Sequence, residues 1–323
     1  MNKTLDIAVI GLSCVDCIAA GEFRQPNVQN PVGDIRISAG GLGNALVALS
    51  GLGLKVGVST RIGSDMYGEY LLNQWRELGT NMSGVTVDRD RPTGFSFVLT
   101  SGGERTPFYS AGTGSAFGPS DIPATFVEGS RCMIVFFAGA LPSLDGEPML
   151  ELVKRCHAAE TVVILDTSDG VPVDHSDIPS YLPYANLVVN REEGRRITGK
   201  ESPREILESL ATQGSFMAVT RLDGVSLMTP VGQYLDIPSP CHGRPVRDVV
   251  GAGDTFRAGL AAYIATNYDD FMGGRMDYRE ACLEASAVSY LYLSRSSDVR
   301  PFSMADVRAI LDAEHHDQGE TSG

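Results

Sequence analysis

The stretch "LDIAVIGL", Leu5 to Leu12, constrains the fold more than any other part of the chain. It is almost continuously apolar and carries β-branched residues, so as a strand it has no face to give to water. Such strands are covered on both sides, in the interior of a parallel sheet. Five further runs share the character: "KVGVSTRI" (55–62), "CMIVFFAG" (132–139), "TVVILDT" (161–167), "NLVVN" (186–190) and "FMAVTRL" (216–222). Helical periods separate many of them, in "LGNALVALSGLG", "MYGEYLLNQWREL", "EPMLELVKRC" and "SPREILESLA". Strand and helix alternating in this way predict a three-layer α/β/α sandwich around a mostly parallel central sheet.

Two regions break the alternation. One runs from about Cys14 to Ser38. The other, "TGFSFVLTSGGERTPFYS" from Thr93 to Ser110, alternates apolar residues on both sides of the turn "SGGE" and predicts a hairpin. We expect these insertions, about 13–38 and 91–111, to form a small β-sheet lid on one domain spanning 1–315. No internal repeat or low-complexity linker divides that domain. The C-terminal part from Ala252 is helix-rich, and the polar end from 316 to 323 is expected to be a disordered tail.

The 323 residues are 43% hydrophobic, enough for a large core, and 40 acidic against 26 basic side chains give a formal charge of −14. That balance argues against nucleic acid and anionic membrane surfaces as partners and points to a small-molecule ligand. No apolar run is long enough to cross a bilayer, and Asp6 interrupts what would be a signal-peptide core, so a cytoplasmic location is expected. Six cysteines are too few for a disulfide scaffold. "CVDC" has metal or redox spacing, but it has no second such pair. A strand continuing through it would turn Cys14 and Cys17 to opposite faces, so we expect no metal there.

The chemistry concentrates in "RDVVGAGDTFRAG", 247–259. Val249 and Val250 precede, and a helical pattern follows, so Gly251, Ala252 and Gly253 form the turn into a helix. The first amides of a helix have no internal partner, glycines leave room for a ligand, and the aligned dipoles favour an anion. Asp254 then stands in the first turn, placed to accept a proton from a hydroxyl that approaches the bound anion. Alone, the motif reads more simply as a tight turn followed by a favourable first-turn acid. The chain has no GxxxxGK[ST] phosphate loop and no GxGxxG dinucleotide fingerprint, which removes a Rossmann oxidoreductase from the field.

Three more stretches complete the pattern. "SAGGLGNALVALSGLG" sets paired glycines before a helix, "GLSCVD" sets Asp16 past the first strand, and "NREE" sets Asn190 and Glu193 past a later one. Strand ends of a parallel sheet line the ligand crevice. In order and spacing, from about Asp6 to Leu311, these motifs resemble the ribokinase-like (PfkB) family of carbohydrate and nucleoside kinases.

The resemblance implies a ribokinase-like sandwich that uses ATP with Mg2+. It implies Asp254 as catalytic base and Gly251, Ala252 and Gly253 as the anion hole. Asp16, Gly41 and Asn44 match positions that hold substrate hydroxyls. Asn190 and Glu193 match the motif that organises magnesium, partly through water, and Thr220, Gly224 and Ser286 fall on the nucleotide side with Asn190. The hairpin resembles a lid that can form a homodimer. Each position also has a plainer reading, with Gly41 as a helix-start glycine, Asn44 as a first-turn amide, Glu193 as a helix-start acid and Asp16 as a loop acid. Two features depart from the family: the nucleotide loop is the short "TRLDG", 220–224, and "SRSSDVRPF" lacks the usual glycine of a monovalent-cation loop, although Asp248 occupies a plausible ligand position.

The expected activity is transfer of the γ-phosphoryl group of ATP to a hydroxyl of a small sugar or polyol. A nucleoside kinase and a non-catalytic sugar sensor are the alternatives. Arg24, Arg105, Phe108 and Tyr109 are the side chains from which acceptor selectivity would be drawn.

Overall fold

Ile7 and Val9 enter one core while Ala8 and Ile10 enter another, and all four are fully buried. They alternate along the strand at the middle of a nine-stranded sheet. The computed structural model describes residues 3–21, 27–101, 104–167, 173–247, 249–295 and 302–320. In chain order the strands are β1 (Leu5–Gly11), β2 (Ser13–Gly21), β3 (Val32–Gly41), β4 (Val56–Gly63), β5 (Asn81–Asp88), β6 (Gly94–Ser101), β7 (Glu104–Ser110), β8 (Ser130–Ala138), β9 (Val162–Thr167), β10 (Asn186–Asn190), β11 (Met217–Arg221), β12 (Gly224–Met228) and β13 (Tyr234–Pro238). The helices are α1 (Leu42–Ser50), α2 (Met66–Glu77), α3 (Ala124–Gly129), α4 (Glu147–Ala158), α5 (Ile178–Tyr181), α6 (Arg191–Thr198), α7 (Pro203–Leu210), α8 (Ala252–Thr266), α9 (Tyr268–Met272), α10 (Tyr278–Ser294) and α11 (Met304–Glu320).

The large sheet has the order β13-β12-β11-β10-β9-β8-β1-β4-β5, and of its strands β12 alone runs against the others, pairing antiparallel with β11 and β13. One core packs α1, α2, α8, α10 and α11 on one face, and the other packs α3, α4, α5 and α7 on the opposite face. This is the three-layer sandwich expected from the apolar runs. From β1 the chain builds outward first through β4 and β5, then on the other side from β8 to β11, so the order reverses between β1 and β8. A crevice opens at the carboxyl ends of strands where order reverses, which positions the site.

The two interruptions supply a second, four-stranded sheet of order β3-β2-β6-β7. The hairpin around "SGGE" is β6 and β7, paired antiparallel from Phe95–Ser110 to Ser101–Glu104. Two details differ from the sequence expectation. β1 stops at Gly11 and does not continue through "CVDC"; that segment begins β2 in the other sheet, where Cys14 is buried and Cys17 half-buried. The polar stretch from 316 is helical as far as Glu320, as the end of α11. Among the described residues no helix is long and apolar enough to cross a membrane.

Candidate active site

Gly251 caps the N-terminus of α8 at φ +85°, a left-handed conformation that glycine adopts without strain. The turn is tight, with the amide of Thr255 bonded to the Gly251 carbonyl at 2.9 Å. Helical geometry gives the first-turn amides no intrahelical carbonyl; the Ala252 amide reaches back to the Val249 carbonyl at 3.4 Å. The space that the glycines vacate is partly taken by protein. A Cβ on Gly251 would approach Cε1 of Tyr292 to 3.2 Å, and one on Gly253 would meet Nη1 of Arg257 at 2.6 Å.

Asp254, in that first turn, has 21% of its side chain exposed. Nδ2 of Asn44 donates to its Oδ2 at 2.8 Å, and the Tyr292 hydroxyl donates to Oδ1 of Asn44 at 2.7 Å. Asn44 sits in the first turn of α1 and is 3% exposed. The resemblance implies substrate hydroxyls as partners of Asn44; in the structure its amide is bonded to the candidate base.

Three residues after Asp254, Arg257 is buried beneath the site. Its Nη2 lies 2.7 Å from Asp166 Oδ1 and 3.3 Å from Glu193 Oε2, and its Nη1 lies 4.0 Å from Asp254 Oδ1. Nε and Nη2 also donate to the Val188 carbonyl at 3.0 and 2.8 Å. Asp166, near the end of β9, accepts the Phe137 amide through its other oxygen at 3.1 Å. Burial pushes the Asp166 carboxyl well above the usual carboxylate range; Arg257 pulls it down, while Glu193 and Asp254 push it further up. Neither Arg257 nor Asp166 was singled out from the sequence. A cation inside the otherwise apolar pattern of α8 was the available signal.

Asn190 and Glu193 form a reciprocal cap on α6. The Glu193 amide donates to Asn190 Oδ1 at 2.9 Å, and the Asn190 amide and Nδ2 donate to the two Glu193 carboxylate oxygens at 2.9 and 2.8 Å. The plainer reading of Glu193 as a helix-start acid therefore describes a real contact. Among the described residues, no three His, Cys, Asp or Glu side chains gather to enclose a metal. An all-oxygen set of this kind suits magnesium, which keeps several waters and takes most of its remaining ligands from phosphates. Asn190 and Thr220 are register partners on β10 and β11, and the Thr220 hydroxyl donates to the Val189 carbonyl at 3.3 Å. "TRLDG" is a two-residue hairpin between β11 and β12, and Gly224 is required because any side chain there would collide with the Ile237 carbonyl. Ser286 lies on α10, where its hydroxyl is used on the Cys282 carbonyl at 2.8 Å. No hydrogen bond joins it to Asn190, Thr220 or Gly224 among the described residues.

Asp16, an expected acceptor residue, is buried within β2 rather than in a loop after β1. Strand register aligns Ser38, Asp16, Ser96 and Tyr109 in one row across the small sheet, and Ile37, Cys17, Phe97 and Phe108 in the next. Adjacent rows face opposite sides, which separates Tyr109, on the Asp16 face, from Phe108. The Cys14 thiol donates to Asp16 Oδ1 at 3.4 Å; burial and the nearby carboxylates of Asp16 and Asp254 push that thiol well up. A Cβ on Gly40 would overlap the Asp16 carboxylate, so a side chain there would displace it. Gly41, at φ +59°, places its α-hydrogens where a Cβ would stand 2.6 Å from the Leu12 carbonyl. Arg24, Asp248 and the side chain of Arg105 lie outside the described residues, as does most of "SRSSDVRPF".

A model of pfkB family carbohydrate kinases matches residues 4–303. The 5-dehydro-2-deoxygluconokinase of Shouchella clausii is 22% identical to the chain, over 97% of it and 98% of its own length. The ribokinase of Giardia lamblia superposes at a TM-score of 0.82, with 18% identity, covering 95% of this chain and 99% of its own. A fructokinase with bound ATP from Xylella fastidiosa does so at 0.80, with 20% identity, covering 96% and 99%. At those identities the likeness to the two solved structures is one of fold.

Proposed function

The chain belongs to the pfkB family of carbohydrate kinases, and we propose that it phosphorylates a hydroxyl of a small sugar or polyol held against Asp16, with Asp254 as general base. Family membership makes it an ATP-dependent sugar kinase. The observation that carries the finer reading is the first turn of α8, where an ionisable carboxylate stands beside glycine-flanked amides and is held by Asn44.

In this reading the acceptor enters between the Asp16 face of the small sheet and the start of α8. Asp16, buried and acceptor-only, receives hydrogen bonds from substrate hydroxyls, with Ser38, Ser96 and Tyr109 alongside. Asp254 takes the proton of the attacking hydroxyl as the phosphoryl group settles against the amides of Gly251, Ala252 and Gly253. Asn190 and Glu193 would hold magnesium through its waters. Once bound with the nucleotide, the ion supplies charge neutralisation for the phosphates. Thr220, Gly224 and Ser286 are the proposed nucleotide-side residues.

The small sheet acts as the lid, and the row Ile37, Cys17, Phe97, Phe108 is its outer face. Ile37 is 51% and Phe108 60% exposed, an apolar surface suited to a second copy of the chain.

The test is a coupled ADP-release screen over pentoses, hexoses, keto-deoxy acids and nucleosides, run on wild type and Asp254→Asn. Removing a general base typically costs about 10² to 10⁴ in rate. The reading requires that loss with ATP affinity preserved in a calorimetric titration. Turnover confined to nucleosides would transfer the assignment to a nucleoside kinase. Sugar binding with no ADP release by either protein would make it a sensor.

A further inference from the structure

Tyr292 is on α10, Asn44 on α1 and Asp254 on α8, yet hydrogen bonds of 2.7 and 2.8 Å join the three in a line. An ionised carboxylate only accepts, whereas an amide donates at one end and accepts at the other. Asp254 Oδ2 therefore takes the Nδ2 end of Asn44, which leaves Oδ1 to be satisfied elsewhere. Asn44 is 3% exposed, so that oxygen depends on a protein donor, and the Tyr292 hydroxyl is one. The Tyr292 ring also stands 3.2 Å from where a Gly251 side chain would begin, so the same residue backs the turn of the anion hole.

We infer that Tyr292 is a positioning residue for the base. It acts through Asn44, holding the amide in the orientation that presents Nδ2 to Asp254 and keeping the carboxylate at a fixed spacing from the Gly251 turn. The inference rests on Asp254 being the base.

Tyr292→Phe keeps the ring against Gly251 and removes only the donor. Loss of one such hydrogen bond should lower kcat by about 2- to 10-fold, with acceptor KM within about two-fold of wild type because the acceptor's own contacts stay in place. Asn44→Ala should lose more. On that background Tyr292→Phe should cost nothing further, because the two residues act as one unit. Equal losses in both backgrounds would overturn the role, as would a raised KM with kcat intact, or a Tyr292→Phe protein that fails to fold. Wild type that releases ADP while Tyr292→Phe matches it removes Tyr292 alone. Wild type that releases no ADP with any acceptor removes the base and this role with it.

Discussion

A Cβ built on Gly251 would stand 3.0 Å from Cγ of Asn44. The residue that turns the chain into α8 and the residue that grips Asp254, the proposed base, are thus in contact, so a change in either is felt by both.

Gly251→Ala should therefore lose stability and activity together. The left-handed φ of +85° costs a residue with a Cβ about 1–2 kcal/mol, and the added methyl pushes Asn44 away from Asp254. A lower melting temperature with reduced kcat is expected. A variant that melts and turns over like wild type would mean that the turn relaxes without disturbing Asn44.

Arg257→Met should destabilise the fold more than any surface change. It strands the buried carboxylates of Asp166 and Glu193 beside each other, and breaking a buried pair from one side typically costs about 3–5 kcal/mol. Denaturant unfolding measures this directly. Asp166→Asn added to Arg257→Met should recover part of the loss, and no recovery would remove Asp166 as the main partner.

Asp16→Ala should weaken the acceptor and spare the nucleotide. Hydroxyls that lose a buried carboxylate partner are left unpaired, at about 1–3 kcal/mol, which would read as a raised acceptor KM or Kd with ATP affinity unchanged. Equal weakening of both ligands would take Asp16 out of the acceptor site.

Glu284, on α10, gives a pH dependence that is independent of catalysis. Burial, then repulsion from Glu280, raises its carboxyl from 4.5 to about 7, against a smaller opposing effect of Arg308. Between those values the folded chain keeps a proton that the unfolded chain has lost, so stability falls as pH rises through this window. Glu284→Gln should match wild type near pH 4 and exceed it near pH 8, by on the order of 2 kcal/mol. Parallel melting curves for the two proteins across the range would contradict this.

The parts of the fold that were legible were those with one dominant environment. β1, β8, β9 and β10 are covered on both faces, so water leaves no mark on their sequences. β5 lies at a sheet edge with alternately exposed residues, and β13 is a half-exposed antiparallel edge strand, so neither carries a long apolar run. In the site, Gly251 to Asp254 could be read because the turn, the amides and the carboxylate are contiguous. The Asn44 partnership with Asp254 could not. It joins the first turns of two helices 210 residues apart, and no local spacing encodes it. Tyr292 and Asp166 were missed for the same reason, since each owes its place to packing among separate elements, whereas Arg257 carried a local signal as a cation in the apolar pattern of α8.

Arg257 also limits how far α8 can be treated as a module. A chimera that transplanted Ala252–Thr266 into a related sandwich would carry a guanidinium to the interior along with the motif. Unless the recipient offered carboxylates where Asp166 and Glu193 stand here, that cation would lack its counter-charges. The heritable unit is therefore larger than the glycine motif by which it is recognised: the end of β9 and the first turn of α6 travel with the helix, or the helix does not transplant.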